Sequence, residues 1–258
     1  MKGVILAGGT GSRLSPLTKI TNKHLLPVFN KPMVYYPLQT MVEAGITEIL
    51  IVTGGVYAGE FLRLLGNGSE FGLKHIHYTY QEGEGGIAAA LKLAEDFAGK
   101  DKLAVMLGDN IIEGSIGRFA AAYEKQKKGA KIILKEVRRP ERFGCAQIRN
   151  GKILKIIEKP KIPPSNYAVT GIYFYDHRVF EVIRHLKPSG RGEMEITDVN
   201  NWYLKKGELT FDFLKGWWTD AGTFESLLTA NNLVAEKIKC RGGSAPPPSG
   251  GVKTPPLH

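Results

Sequence analysis

The chain has 258 residues, 43% hydrophobic and 23% charged, the balance of a water-soluble globular protein able to bury its own core. Two cysteines, Cys145 and Cys240, exclude a disulfide scaffold and fit a reducing cytoplasm; residues 1–6 are too short an apolar run for a signal peptide, and no stretch nears the roughly 18 apolar residues of a membrane span. The net charge is +10, and residues 124–161 carry thirteen Lys/Arg against four acids; without a helix-turn-helix, zinc finger or aromatic RNP strand, this excess suits phosphorylated small molecules or solvated strands better than nucleic acid.

Strand and helix patterns alternate at first. An apolar strand at Lys2–Leu6 ends in a glycine-rich turn. Residues 33–44 have helical spacing, with Val34, Leu38, Met41 and Val42 on one face. A second strand is expected at 49–52, a helix at Ala58–Leu65, a strand at 75–80, an alanine-rich helix at 86–97, a strand at Leu103–Leu107 and a helix at 115–128. This order implies a mostly parallel, Rossmann-like α/β sheet covered on both faces. After Ala130 three strands, 131–137, 145–148 and 152–157, follow without helices, the last two joined by an Asn150-Gly151 turn. A strand at 169–175, helices at 179–186 and 197–206, a strand at 209–214 and a helix at 223–238 complete the pattern. A smaller, partly antiparallel subdomain is therefore inserted before the last helices. Of the 17 residues in 242–258, eleven are Gly, Ser or Pro, so this tail is expected to be disordered.

The strongest local signal is Leu6-Ala7-Gly8-Gly9-Thr10-Gly11-Ser12-Arg13-Leu14, directly after the first strand. Glycines let successive backbone N–H groups face phosphate oxygens, and Arg13 adds a planar cation. A P-loop lysine is missing, and the second strand ends in Thr53-Gly54-Gly55-Val56 without the ribose-binding acid of a dinucleotide site. The loop thus belongs to another nucleotide-binding plan. Lys23 is either a solvated lysine or a second phosphate contact, and His24 a packed polar residue. Gln81, before Glu82-Gly83-Glu84-Gly85-Gly86, has an amide able to read a base edge. Asp109 and Asp220 are either turn and helix caps or, in one cleft, a Mg²⁺ site. Lys159 is either a solvated charge or a phosphate contact from the opposite wall. His75 and His77 share a strand face, with no third metal ligand evident.

Together these pieces resemble the sugar-phosphate nucleotidylyltransferases, most closely their short, single-domain glucose-1-phosphate thymidylyltransferase branch. The resemblance rests on the glycine loop, Lys23 with Pro27-Val28 and Lys31-Pro32, Leu107-Gly108-Asp109-Asn110, Glu158-Lys159-Pro160, Val169-Thr170-Gly171-Ile172-Tyr173, Arg191-Gly192-Glu193-Met194-Glu195-Ile196-Thr197-Asp198 and Trp218-Thr219-Asp220-Ala221-Gly222-Thr223. It implies one catalytic domain over residues 1–241, with a sugar-binding portion at roughly 130–215. The implied reaction transfers a nucleotidyl group from a nucleoside triphosphate, dTTP first, to a sugar-1-phosphate, glucose-1-phosphate first, releasing pyrophosphate. Leu6, Gly8, Gly9, Gly11, Arg13, Lys23, Gln81, Gly86 and Asp109 would bind the nucleotide. Asn110, Gly144, Glu158, Lys159, Val169 and Arg191 would bind the sugar phosphate. Asp109 and Asp220 would hold Mg²⁺, and Arg13, Lys23 and Lys159 would act in catalysis. Relatives commonly have Pro where Glu84 stands and Gly-Leu-Ala-Gln-Ala where this chain has Gly86-Ile87-Ala88-Ala89-Ala90, so UTP is the alternative nucleotide, with glucose-1-phosphate or an N-acetylhexosamine-1-phosphate. A non-catalytic regulatory homologue is the remaining reading. The expected partners are small-molecule substrates, not nucleic acid or membrane, in the cytoplasm; a homo-oligomer stays open.

Overall fold

Strand β1 (Lys2–Leu6) is apolar after Lys2 because both of its faces are covered. Val4 and Leu6 enter one core and Ile5 the other, the period-2 alternation of a strand. The computed structural model describes residues 1–240, so the expected disordered tail lies outside the described residues.

After β1 come the two-residue strands β2 (Pro27–Val28) and β3 (Lys31–Pro32), then α1 (Tyr35–Glu43), β4 (Glu48–Gly54), α2 (Ala58–Leu65) and β5 (His75–Gln81). Next are α3 (Ile87–Lys92), α4 (Glu95–Ala98), β6 (Leu103–Leu107), β7 (Asn110–Ile112) and α5 (Gly117–Lys125). The inserted strands are β8 (Ala130–Glu136), β9 (Gly144–Arg149), β10 (Lys152–Glu158) and β11 (Tyr167–Tyr175). The chain continues through α6 (Val179–Arg184), α7 (Ile196–Lys205), β12 (Leu209–Phe213), β13 (Trp218–Asp220) and α8 (Phe224–Cys240).

One nine-stranded sheet runs β10-β9-β11-β6-β1-β4-β5, with β8 branching from β11 and β12 pairing with β8. Strands β6, β1, β4 and β5 are parallel, as the alternating pattern implies. The later strands extend this same sheet through β11, which lies antiparallel to β6, β8 and β9. Helices α3, α6 and α7 cover one face, with Leu91, Ile183 and Val199 fully buried. Helices α1, α2 and α5 cover the other, with Met41, Phe61 and Phe119 at its centre. Each such side chain contributes about 1.5–3 kcal/mol relative to exposure. A third cluster, Val28, Met33, Ile111, Ala221, Ala230 and Val234, packs α8 against β2 and β13.

One local expectation needs correction, and one strand pairing was not expected. The single helix over 86–97 is two short helices, because the backbone ladder tightens to i→i−3 bonds at Leu93 and Ala94. The segments after Gly108 and around Trp218, which carry no long β pattern, form the antiparallel pair β7–β13 in the register Asp220↔Asn110. That pair matters most for the site, since it carries Asp220 to the end of β6, beside Asp109.

Candidate active site

The site begins where β1 ends. Gly8 lies so close to its neighbours that a Cβ there would sit 2.6 Å from Gln81 Oε1 and 3.3 Å from the Thr53 carbonyl. Gly11 has φ +69°, and a Cβ would meet Lys23 Cβ and Thr18 Cγ2 at 2.8 Å. Only glycine fits both places without displacement. Thr10, at the loop's tip, donates a hydrogen bond to the Glu84 carboxylate, so the glycine loop touches the segment after Gln81.

Lys23 starts a 3-10 turn, Lys23–Leu25, capped by the Asn22 side chain, which accepts from the His24 N–H at 2.9 Å. The turn directs the Lys23 ammonium to Asp109 Oδ2 at 2.7 Å, with the two side chains only 13% and 11% exposed. Asp109 Oδ1 also accepts from Asn110 Nδ2 at 3.0 Å. Burial pushes the Asp109 carboxyl up, but Lys23, His24 and the hydrogen bonds from Lys23 and Asn110 outweigh it and hold the group well below the usual carboxylate range. His24 is buried, with Nδ1 2.8 Å from Asn22 Oδ1. Burial and the Lys23 charge push it down to about 3, so it is neutral and serves packing, as its sequence context suggests.

Asp220 lies across from Asn110 on β13, and Gly222 follows it. The place a Cβ would take on Gly222 is 3.1 Å from an Arg13 guanidinium nitrogen, 3.4 Å from Asp109 Oδ2 and 3.7 Å from Asp220 Oδ2. Glycine thus leaves room for Arg13 and both carboxylates to converge. Burial and then the Asp109 charge raise the Asp220 carboxyl to about 6, against the opposing pull of Arg142 and Arg13. Two hard-oxygen donors forced together at this energetic cost form a donor set suited to a hard divalent cation.

The opposite wall comes from the antiparallel strands. Gly144 opens β9, and a Cβ there would meet Thr197 Oγ1 at 3.0 Å and Glu158 Oε2 at 3.3 Å. Thr197 donates to Glu158 Oε2. Lys159 has φ +39° and is fixed by its backbone N–H to the Phe143 carbonyl at 3.1 Å. Its ammonium is exposed and, among the described residues, makes no ion pair. Arg191 donates to both oxygens of Glu195 at 2.9 Å and reaches Glu158 at 3.5 Å.

These elements converge on one cleft of about 490 Å³. Every site residue singled out from the sequence is in that lining: Leu6, Gly8, Gly9, Gly11, Arg13, Lys23, Gln81, Gly86, Asp109, Asn110, Gly144, Glu158, Lys159, Val169, Arg191 and Asp220. Sequence reasoning passed over Arg142, which pairs with Asp220 at 3.5 Å, and Phe143, whose ring lies 4.9 Å from that of Trp218. Both stand immediately before Gly144, within the basic run, and that adjacency was the available signal. Among the described residues no helix is long and apolar enough to cross a membrane.

A family model described as "Nucleotidyl transferase" matches residues 2–237. The chain is 46% identical over 238 residues to the glucose-1-phosphate thymidylyltransferase of Neisseria meningitidis serogroup A, covering 91% of this chain and 82% of that protein. A Bacillus anthracis crystal structure assigned as a glucose-1-phosphate thymidylyltransferase, in complex with sucrose, is 56% identical, with TM-score 0.87 over 90% of this chain and 94% of that one. A UDP-glucose pyrophosphorylase complexed with UDP-glucose is more distant, 25% identical with TM-score 0.79, over 92% of this chain and 98% of that one.

Proposed function

The chain belongs to the nucleotidyl transferase family, and on that premise we propose that its cleft joins dTTP to glucose-1-phosphate, giving dTDP-glucose and pyrophosphate. The observation that carries this reading is the cation set: Arg13 and Lys23, near the glycine loop, and Lys159, after β10, line one cleft with the pair Asp109 and Asp220.

An oxygen of the sugar phosphate bonds to the α-phosphorus of the triphosphate, the bond from that phosphorus to the bridging oxygen breaks, and pyrophosphate leaves with the electron pair. The attacking group is already an anion, so no protein base or nucleophile is needed. Catalysis is then positioning plus relief of repulsion between two polyanions. Backbone N–H groups from Gly8 to Gly11, with Arg13 and Lys23, hold the triphosphate. Leu6, Gln81 and Gly86 hold the base, and the Gln81 amide is already folded against Gly8. Lys159 and Arg191 hold the sugar phosphate, while Asn110, Gly144, Glu158 and Val169 line the sugar. Asp109 and Asp220 would hold Mg²⁺, which when bound supplies positive charge to the triphosphate and its leaving group. Lys23, paired with Asp109 in the structure, turns from carboxylate to phosphate as substrate enters.

The names of these two relatives favour thymidine over uridine. With nucleoside triphosphates as substrates, the reaction is set in the cytoplasm. Pyrophosphate release, measured over a grid of nucleoside triphosphates and sugar-1-phosphates, tests the reading. The dTTP/glucose-1-phosphate pair is expected to give the highest kcat/KM; a higher value with UTP would reassign the base, and no release with any pair would remove the activity.

A further inference from the structure

Arg142 has no role in the reaction described above, yet it lines the same cleft. It ends the 3-10 turn Pro140–Arg142, which leads into β9. Its position mirrors that of Lys23. Each of the two convergent carboxylates carries one cation brought from a different part of the chain: Lys23 on Asp109 at 2.7 Å, and Arg142 on Asp220 at 3.5 Å. The Arg142 contact is the looser of the two, and its side chain is 29% exposed.

The support behind Arg142 is firm. Its guanidinium carbon lies 5.5 Å from the Phe143 ring centroid, and Phe143 packs on Trp218. The Trp218 indole N–H donates to Asn110 Oδ1 at 2.6 Å. The Phe143 carbonyl accepts from the backbone N–H of Lys159. Arg142 and Lys159 are therefore carried by one hydrogen-bonded segment, on the sugar-phosphate wall. A guanidinium offers a planar fork of N–H donors that matches phosphate oxygens as well as carboxylates.

We propose that Arg142 is a further ligand of the sugar-1-phosphate, held by Asp220 until that carboxylate turns to a divalent cation and then released to the phosphate. The proposal rests on the functional reading above and adds to it a substrate-binding cation whose availability depends on the metal. Asp220 Oδ2 cannot fully serve Arg142 and a metal ion together. Arg142 therefore competes with the metal in the absence of substrate and assists the reaction in its presence. A guanidinium that only braces the β8–β9 connection would do neither.

Arg142→Gln separates these cases. Manganese alone, titrated into the substrate-free protein and followed by the loss of free-ion EPR signal, is expected to bind about fivefold more tightly to the variant, the scale of one partly exposed ion pair. In the same variant kcat/KM for the sugar phosphate is expected to fall about 10–10²-fold, with the KM for the nucleotide changed far less. Arg142→Lys keeps the charge but not the fork, and is expected to recover part of the loss. Because Arg142 is not deeply buried, both variants are expected to melt within a few degrees of the parent. Unchanged or weaker manganese binding by Arg142→Gln overturns the proposal whatever its turnover, as does a sugar-phosphate kcat/KM within twofold of the parent. Absence of turnover in the unaltered protein overturns the functional reading instead, and leaves the manganese titration to decide whether Asp220 is shared.

Discussion

Asp220→Asn should make the metal-free protein more stable while removing its turnover. The carboxyl is raised from 3.8 to about 6, by burial first and by the Asp109 charge second, so the folded protein resists its ionisation. A raised carboxyl holds a proton in the folded state that the unfolded chain has already released. The destabilisation is therefore absent below about pH 4, grows as pH rises, and levels off above about pH 6. About two pKa units at 1.36 kcal/mol each give an upper figure near 3 kcal/mol, and about 2–3 kcal/mol is the working magnitude for a side chain only 17% exposed. Asparagine keeps the shape and removes the charge. In EDTA at pH 7.5 the variant is expected to melt roughly 5–10 °C above the parent, taking ~2–4 °C per kcal/mol for a domain of this size. At pH 5 the gap should shrink markedly. Added Mg²⁺ should raise the melting temperature of the parent and not that of the variant. A variant that melts at or below the parent in EDTA at pH 7.5 would refute the claim that Asp220 is held at an energetic cost for a cation.

Asp109→Asn should behave oppositely in melts and alike in turnover. It strands the Lys23 ammonium in a mostly buried position, a loss of about 3 kcal/mol by urea denaturation, and pyrophosphate release should fall by orders of magnitude. Lys159→Ala should lower kcat/KM for the sugar phosphate about 10²–10³-fold in initial-rate measurements with both substrates varied, while stability stays within about 0.5 kcal/mol. Gly11→Ala should cost at least about 1–2 kcal/mol in denaturant melts from its left-handed backbone alone, and should raise the KM for the nucleotide, because the new methyl presses on Lys23.

The centre of the parallel half was legible because β1, β4 and β6 are buried on both faces, and burial writes itself into the chain as unbroken apolar runs such as Val4-Ile5-Leu6 and Ile49-Leu50-Ile51-Val52. The glycine loop was legible because close backbone approach excludes other residues at Gly8 and Gly11. Less could be read where structure depends on what packs from elsewhere. Trp218–Asp220 has three residues and no periodicity of its own; it becomes a strand only because β7 offers it a partner and α8 covers it. The break between α3 and α4 follows from a change of hydrogen-bond pattern within an alanine-rich stretch, where composition alone favours continuity. Arg142 was hidden for a similar reason. In a run of thirteen cations, only its place two residues before Gly144 sets Arg142 apart.

The contrast between the two aspartates comes from where their counter-charges stand, since both carboxylates are largely shielded from water. Lys23 shares its burial with Asp109, and the short ion pair forms inside the protein, where water screens it little. Arg142 meets Asp220 at 3.5 Å from a partly exposed position, and its attraction falls short of what burial and Asp109 impose. One carboxylate is thereby kept ionised and the other kept near its point of protonation. A cation arriving between them meets one prepared charge and one that ionises readily above pH 6. It relieves a repulsion already present in the fold, so the fold itself supplies part of the affinity for the ion. This is why neutralising Asp220 and neutralising Asp109 should separate in melting experiments even though each removes one carboxylate charge from the same cleft.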